Sequence, residues 1–276
     1  MYATLKDQII ILALQEDIGH GDITTDSITP AGLQAEGKIQ AQEDLVLCGL
    51  EVAERVFHLL DPSARFRAMA CDGERVQAGK VVAEVTGSAR ALLTAERTAL
   101  NFLQRLSGIA TQVSSYVTLL LGTGARLVDT RKTTPGHRDL EKYAVRCAGA
   151  QNHRFGLSDG ILIKDNHLKI AGGIERAVTL ARKCAPHLFK IEVEVDSLDQ
   201  IAECLAAGVD CILLDNMSLD HLREGVKLIN RRCLTEASGG IQKERLPEIG
   251  RTGVDFISVG ALTHSVRSAD LNMEIG

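Results

Sequence analysis

Six short apolar segments in the second half of the chain, each ending in polar residues, constrain its fold more than any other feature. They read Arg126-Leu127-Val128-Asp129-Thr130, Ile161-Leu162-Ile163-Lys164, Lys190-Ile191-Glu192-Val193-Glu194-Val195, Cys211-Ile212-Leu213-Leu214-Asp215, Leu234-Thr235-Glu236-Ala237-Ser238 and Phe256-Ile257-Ser258-Val259-Gly260. Helix-length stretches separate them, and amphipathic runs such as Leu198 to Ala207 and Leu219 to Asn230 would cover a sheet from outside. Repeated right-handed β-α units of this number close most readily into a barrel one or two short of the usual eight. An open doubly wound sheet is the competing reading. Both architectures place ligands at the carboxyl ends of the strands.

The first half follows a different grammar. From Glu36 to Leu93 short strands (Lys38 to Ala41, Arg65 to Ala70, Lys80 to Val85) alternate with turns at Gly73, Gly79 and Gly87, and a helix-period segment spans Leu50 to Leu60. This is the pattern of a small α+β domain. Between the halves, apolar residues at three- and four-residue spacing from Ala91 to Leu121 predict a helix broken near Ser107-Gly108.

Composition excludes several function classes. With 276 residues there is room for both domains, but aromatics are 3% with no Trp, and the formal net charge is −5. Nucleic acid is therefore not an expected partner, because neither stacking rings nor a basic field is available, and any anion site must be a local cluster. The seven cysteines are scattered and never closer than seven residues, which predicts reduced, mostly core thiols rather than a disulfide framework or zinc knuckle. The apolar run Ile9 to Leu14 leads at once into Glu16 and Asp17, and the uncharged stretch Leu106 to Ala125 is interrupted by polar residues. Neither resembles a leader or a bilayer span, so the expectation is a cytoplasmic protein without a membrane partner.

The strand ends hold the chemistry. Arg131 and Lys132 follow the first strand, His153 and Arg154 lie before the second, and Lys164 falls at the end of the apolar run Ile161 to Ile163. Arg offers a planar fork and Lys a point charge, a mixture suited to a ligand with several kinds of anionic group. A Lys inside that run needs an anionic partner. Across from these, Glu192, Glu194 and Asp215 supply carboxylates; alternation puts Glu192 and Glu194 on one face, where lysines or a magnesium ion would have to balance them. Ser238-Gly239-Gly240 and Gly260-Ala261 supply small residues where barrels hold phosphate on backbone N–H groups.

The tracts Asp129-Thr130-Arg131-Lys132-Thr133-Thr134-Pro135-Gly136, Asn152-His153-Arg154 and Ile163-Lys164-Asp165-Asn166-His167 closely resemble quinolinate phosphoribosyltransferase. So do Glu16 to Asp26, Ala95 to Asn101, Glu192 to Val195, Leu214-Asp215-Asn216 and Ala237 to Gly240, in order along essentially the whole chain. One departure is visible: the glycine-rich run that precedes Asn-His-Arg in the family reads Ala148-Gly149-Ala150-Gln151.

The resemblance implies an N-terminal α/β sandwich domain over residues 1–110 and a seven-stranded open α/β barrel over 111–276, with the last few residues returning to the first domain. It implies a homodimer with shared active sites, in which Arg97 reaches into the partner's barrel. Quinolinate would be held by Arg131, His153, Arg154 and Lys164, with Lys132 in the same pocket. Glu194 and Asp215 would serve the ribose and Mg2+ side, and Ser238, Gly239, Gly240, Gly260 and Ala261 the 5′-phosphate of phosphoribosyl pyrophosphate. Lys132, Lys164, Glu194 and Asp215 would be catalytic.

Three rivals remain at this level: an aldolase using Lys164 as a Schiff-base nucleophile, a paralogue of the same fold associated with molybdenum uptake, and a non-catalytic ligand sensor.

Overall fold

The computed structural model describes residues 5–276. In chain order the first elements are α1 (Leu5–Ile18), α2 (Ile23–Ile28), β1 (Gln34–Ala41), β2 (Leu45–Val46), α3 (Leu50–Leu60), β3 (Arg65–Ala68), β4 (Arg75–Val76), β5 (Val81–Ser88) and α4 (Ala89–Leu119). Next come β6 (Arg126–Val128), α5 (Arg138–Cys147), β7 (Ile161–Ile163), α6 (Asp165–Ala171), α7 (Ile174–Cys184), β8 (Ile191–Val195), α8 (Asp199–Ala207), β9 (Cys211–Asp215) and α9 (Leu219–Ile229). The chain ends with β10 (Leu234–Ser238), a 3-10 turn at Lys243–Arg245, α10 (Leu246–Gly250), β11 (Phe256–Ser258), α11 (Ala261–His264) and β12 (Leu271–Ile275). Two compact units result, one from residues up to Ser114 with Thr133–Gly149 and Leu262–Gly276, the other from Ser115–Lys132 and Ala150–Ala261.

In the first unit an antiparallel sheet has the order β12-β1-β5-β3. The C-terminal strand closes it, pairing Ile39 with Met273 and Ala41 with Leu271. Helix α3 covers the sequence span expected of it and buries Leu50, Val52, Ala53, Val56 and Phe57, the stripe that its three- and four-residue spacing dictates. Helix α4 corrects the sequence reading, because it runs unbroken through Ser107 and Gly108. The glycine serves contact, not a break: a Cβ there would lie 2.2 Å from the Arg267 carbonyl oxygen, so only glycine lets that segment pass. Ser107 spends its hydroxyl on Cys48, accepting from its N–H at 3.0 Å and donating to its carbonyl.

In the second unit six parallel strands are ordered β6-β11-β10-β9-β8-β7. They are the six segments legible in the sequence. The first and last in chain order pair side by side, Leu127 with Ile257, so the sheet curls round on itself as a barrel. The seventh strand implied by the family is reduced to one parallel bridge, Val128 with Gln151, at the position where the glycine-rich run is altered. Among the described residues no ladder joins Gln151 to β7, and the barrel is open there.

Two smaller expectations also change. All seven cysteines are free, but only Cys48, Cys204 and Cys211 are buried, while Cys71 and Cys184 are exposed, so the thiols are not mostly core. Lys164 does not lie within the apolar run; it follows β7 by one residue, is 47% exposed in its side chain and precedes the first turn of α6. The strand stops at Ile163 because the Lys164 N–H turns to donate to His167 Nδ1 at 2.9 Å. No helix of the described residues is long and apolar enough to cross a membrane.

Candidate active site

The second unit gathers most of the sequence-predicted residues at the carboxyl ends of its strands. Strand β6 is followed at once by Asp129, fully buried, whose carboxylate accepts from Asn152 Nδ2 at 2.6 Å and from the His153 N–H at 2.9 Å. That grip fixes the Asn152-His153-Arg154 segment against the end of β6, from which the loop carrying Arg131 and Lys132 departs. The Arg154 N–H donates to His153 Nδ1 at 2.8 Å, so the neutral ring carries its proton on Nε2, which faces Glu192 Oε2 at 3.0 Å and Glu236 Oε2 at 3.6 Å. His153 is thus clasped by carboxylates inside the barrel.

Arg154 is half-buried and donates to the Gly160 carbonyl at 3.0 Å. Burial lowers its pKa, and the nearby guanidinium of Arg131 lowers it further. An anion between these two guanidiniums would relieve the pressure on Arg154. Lys132 follows Arg131 with its N–H tied to the Thr130 hydroxyl at 3.0 Å.

The carboxylates occupy the adjoining strands. On β8 the alternation Ile191–Val195 buries the three aliphatic residues on one side and turns Glu192 and Glu194 to the other. Glu194 accepts from Lys164 Nζ at 2.7 Å. That contact engages the amine that a Schiff-base aldolase would need as its nucleophile. Register pairs Glu194 with Leu213, so Asp215 shares that face one step nearer the strand end, where Asn216 Nδ2 donates to it at 2.6 Å.

Ser238 ends β10 beside Asp215. Gly239 and Gly240 both have positive φ, and a Cβ on Gly239 would meet Asn216 Oδ1 at 2.3 Å and its backbone N at 2.7 Å. Only glycine allows that approach. Gly260 and Ala261 follow β11 on the neighbouring strand. Of the predicted set, Arg97 alone belongs to the first unit, exposed on α4 with Glu96 at 4.0 Å.

The profile for the quinolinate phosphoribosyl transferase C-terminal domain matches residues 109–274, and that for the N-terminal domain of the same enzyme matches residues 22–107. This chain belongs to the quinolinate phosphoribosyl transferase family. Within the family it is 47% identical to a probable nicotinate-nucleotide pyrophosphorylase (carboxylating) of Bacillus subtilis, over 94% of this chain and 90% of that one. It is 43% identical to the nicotinate-nucleotide pyrophosphorylase (carboxylating) of Mycobacterium leprae, over 95% and 94%. The crystal structure of NadC from Streptococcus pyogenes superposes with a TM-score of 0.95 at 43% identity, covering 100% of this chain and 99% of that one.

In this member of the family two groups at the site escape a sequence reading. Asp129 reads only as the polar end of a strand, and Glu236 as one residue of an ordinary Thr-Glu-Ala alternation. Glu236 is 3% exposed, and its Oε1 has no hydrogen-bond partner. Burial pushes its pKa up to about 7, helped by the charge of Glu192 and opposed by His153, the Ser258 hydroxyl and Lys164. The signal that could have found it is the Glu itself: a carboxylate on a strand predicted to be covered on both faces requires an explanation.

Proposed function

We propose that the chain transfers the phosphoribosyl group of phosphoribosyl pyrophosphate to quinolinate with decarboxylation, giving nicotinate mononucleotide, pyrophosphate and carbon dioxide for NAD synthesis. Bringing two polyanions together where water is scarce demands fixed cations, and the observation that carries the reading is the convergence of Arg131, Arg154 and Lys164 with Glu194 at one set of strand ends. Arg131 and Arg154 seat the two ring carboxylates as a charge-complementary pair. Lys132, His153 and Lys164 complete the pocket, with His153 oriented from behind by Glu192 and Asp129.

The pyridine nitrogen attacks the anomeric carbon as the carbon–oxygen bond to pyrophosphate breaks, and the electron pair leaves on the diphosphate oxygen. Positive charge on the ribose in that transition state lies against Glu194 and Asp215. The pyridinium then loses its 2-carboxylate as carbon dioxide; the ring nitrogen stabilises the pair left on carbon, which takes a proton. Lys164, held by Glu194, orients that carboxylate and supplies the proton in this reading. The backbone N–H groups of Ser238-Gly239-Gly240 and Gly260-Ala261 cradle the 5′-phosphate.

The donor set fits Mg2+. Glu194 and Asp215 are hard oxygen donors on adjacent strands, which would hold the ion directly or through water, and it would neutralise charge on the diphosphate. In the same reading the enzyme is a cytoplasmic homodimer in which Arg97 of each subunit completes the other's site.

The test is direct. Purified protein given quinolinate, phosphoribosyl pyrophosphate and magnesium should release nicotinate mononucleotide and carbon dioxide in equal amounts; no product under these conditions overturns the assignment. For the shared site, mixing the impaired Arg97→Ala and Lys164→Ala chains should raise activity above that of either alone, and the absence of rescue counts against it.

A further inference from the structure

The first unit contains a second cluster that the transferase reaction does not use. Cys48, just before α3, and Cys147, the last residue of α5, bring their thiols to the same place. Their sulfurs and a carboxylate oxygen of Asp72 all lie within 4.8 Å of one another. The surroundings are fixed. Ser107 clamps the Cys48 backbone at both N–H and carbonyl. Asp72 Oδ1 accepts from the Gly49 and Leu50 N–H groups at 3.0 and 3.2 Å, and its Oδ2 accepts from the Tyr143 hydroxyl at 2.8 Å.

We propose that Cys48 and Cys147 form an oxidation site, a dithiol that a peroxide converts to an intramolecular disulfide. The two thiols are unequal. Cys48 is fully buried, and its pKa is raised by the Cys147 thiol beside it and by burial, so it remains a thiol. Cys147 is only partly buried, and the Cys48 thiol beside it holds its pKa down to about 7. A thiolate in reach of solvent with a thiol beside it is the arrangement of an attacking and a resolving cysteine.

The chemistry balances. The Cys147 thiolate attacks one oxygen of hydrogen peroxide and the O–O bond breaks, leaving a sulfenic acid and hydroxide, which the solvent protonates. The Cys48 sulfur then attacks the sulfenic sulfur; the S–S bond forms, the S–O bond breaks, and hydroxide departs with the Cys48 proton as water. In sum two thiols and one peroxide give a disulfide and two waters, the sulfurs losing two electrons and the peroxide gaining them. Sulfur atoms within 4.8 Å of each other must close to about 2.05 Å for the bond to form. Asp72 favours this reading over a metal site, since both its oxygens are committed to three donors.

The full-length protein should be treated with hydrogen peroxide, alkylated with iodoacetamide, digested and weighed. The expected product is one species joining the Cys48 and Cys147 peptides, two hydrogens lighter than their sum and separated by dithiothreitol. In Cys48→Ser the same treatment should carry Cys147 on to sulfinic acid. A measurement on the unaltered chain does not depend on the variant folding: the rate of Cys147 alkylation should rise with a midpoint near pH 7. A midpoint near 9, or sulfinic acid on Cys147 with Cys48 still alkylatable in the unaltered protein, overturns the proposal. So does one equivalent of zinc in untreated protein that both Cys48→Ser and Cys147→Ser lose, which would make the cluster a metal site.

Discussion

Glu141 in the first unit and Glu236 in the second are both buried carboxylates, and their surroundings are opposite. Glu141 is surrounded by donors: Arg105 Nε and a terminal nitrogen at 3.2 and 2.7 Å, the Thr134 N–H at 3.1 Å and the Thr134 hydroxyl at 2.8 Å. Arg105 in turn donates to the Thr263 and Val266 carbonyls, so one ion pair ties α4, α5 and the C-terminal segment together. Glu236 has a second carboxylate beside it and an oxygen that nothing satisfies. Buried charge is thus fully answered where the fold needs fixing and left partly unanswered where chemistry takes place. A site that must accept anions and carry a cationic transition state cannot neutralise itself completely beforehand.

The contrast can be broken at several points. The largest expected effect is Arg105→Ala, which leaves Glu141 buried without its partner and should cost about 3–5 kcal/mol of stability. Chemical denaturation would measure it, and a loss below about 1 kcal/mol would deny the pair its structural role. Lys164→Ala should behave in the opposite way. Its ion pair is nearly half exposed, so folding stability should change by less than about 1 kcal/mol, while kcat/KM falls roughly ten- to a few-hundred-fold for the loss of one charge-assisted contact. A change confined to stability would remove Lys164 from the site.

Glu236→Gln sharpens the point through pH. The Glu236 carboxyl has a folded pKa of about 7 against an ordinary value of 4.5, so the native state binds its proton more tightly than the unfolded chain does. The unfolded chain gives up that proton first, so stability falls as pH rises from about 4.5 to 7, and the full cost, on the order of 1–3 kcal/mol, applies above 7. The Gln variant should lose that slope and melt several degrees higher than the parent at pH 8. Melting curves with equal slopes would show the proton resides elsewhere in the pair. Smallest of all, Lys169→Ala removes the exposed pair with Asp165 on α6 and should shift stability by less than about 0.5 kcal/mol.

What could be read in advance follows the range of the interactions involved. The six barrel strands were legible because each is a short apolar run with a polar end, a pattern set by neighbours a few residues apart. Helix α3 was legible for the same reason. The break expected in α4 was not there, because the glycine that suggests it answers to Arg267, far along the chain. Lys164 was placed one residue too deep, since the strand end is set by its N–H turning to His167.

Sequence by itself therefore determined the family, the α/β class and most of the charged groups at the strand ends, because residue type and local period already specify them. Tertiary structure alone decided that Asp129 grips the His153 segment, that Glu192 and Glu236 face one imidazole, and that Cys48 meets Cys147. Each of those depends on two residues remote in sequence arriving within a few ångströms, where burial raises the cost of every charge and makes its partner matter.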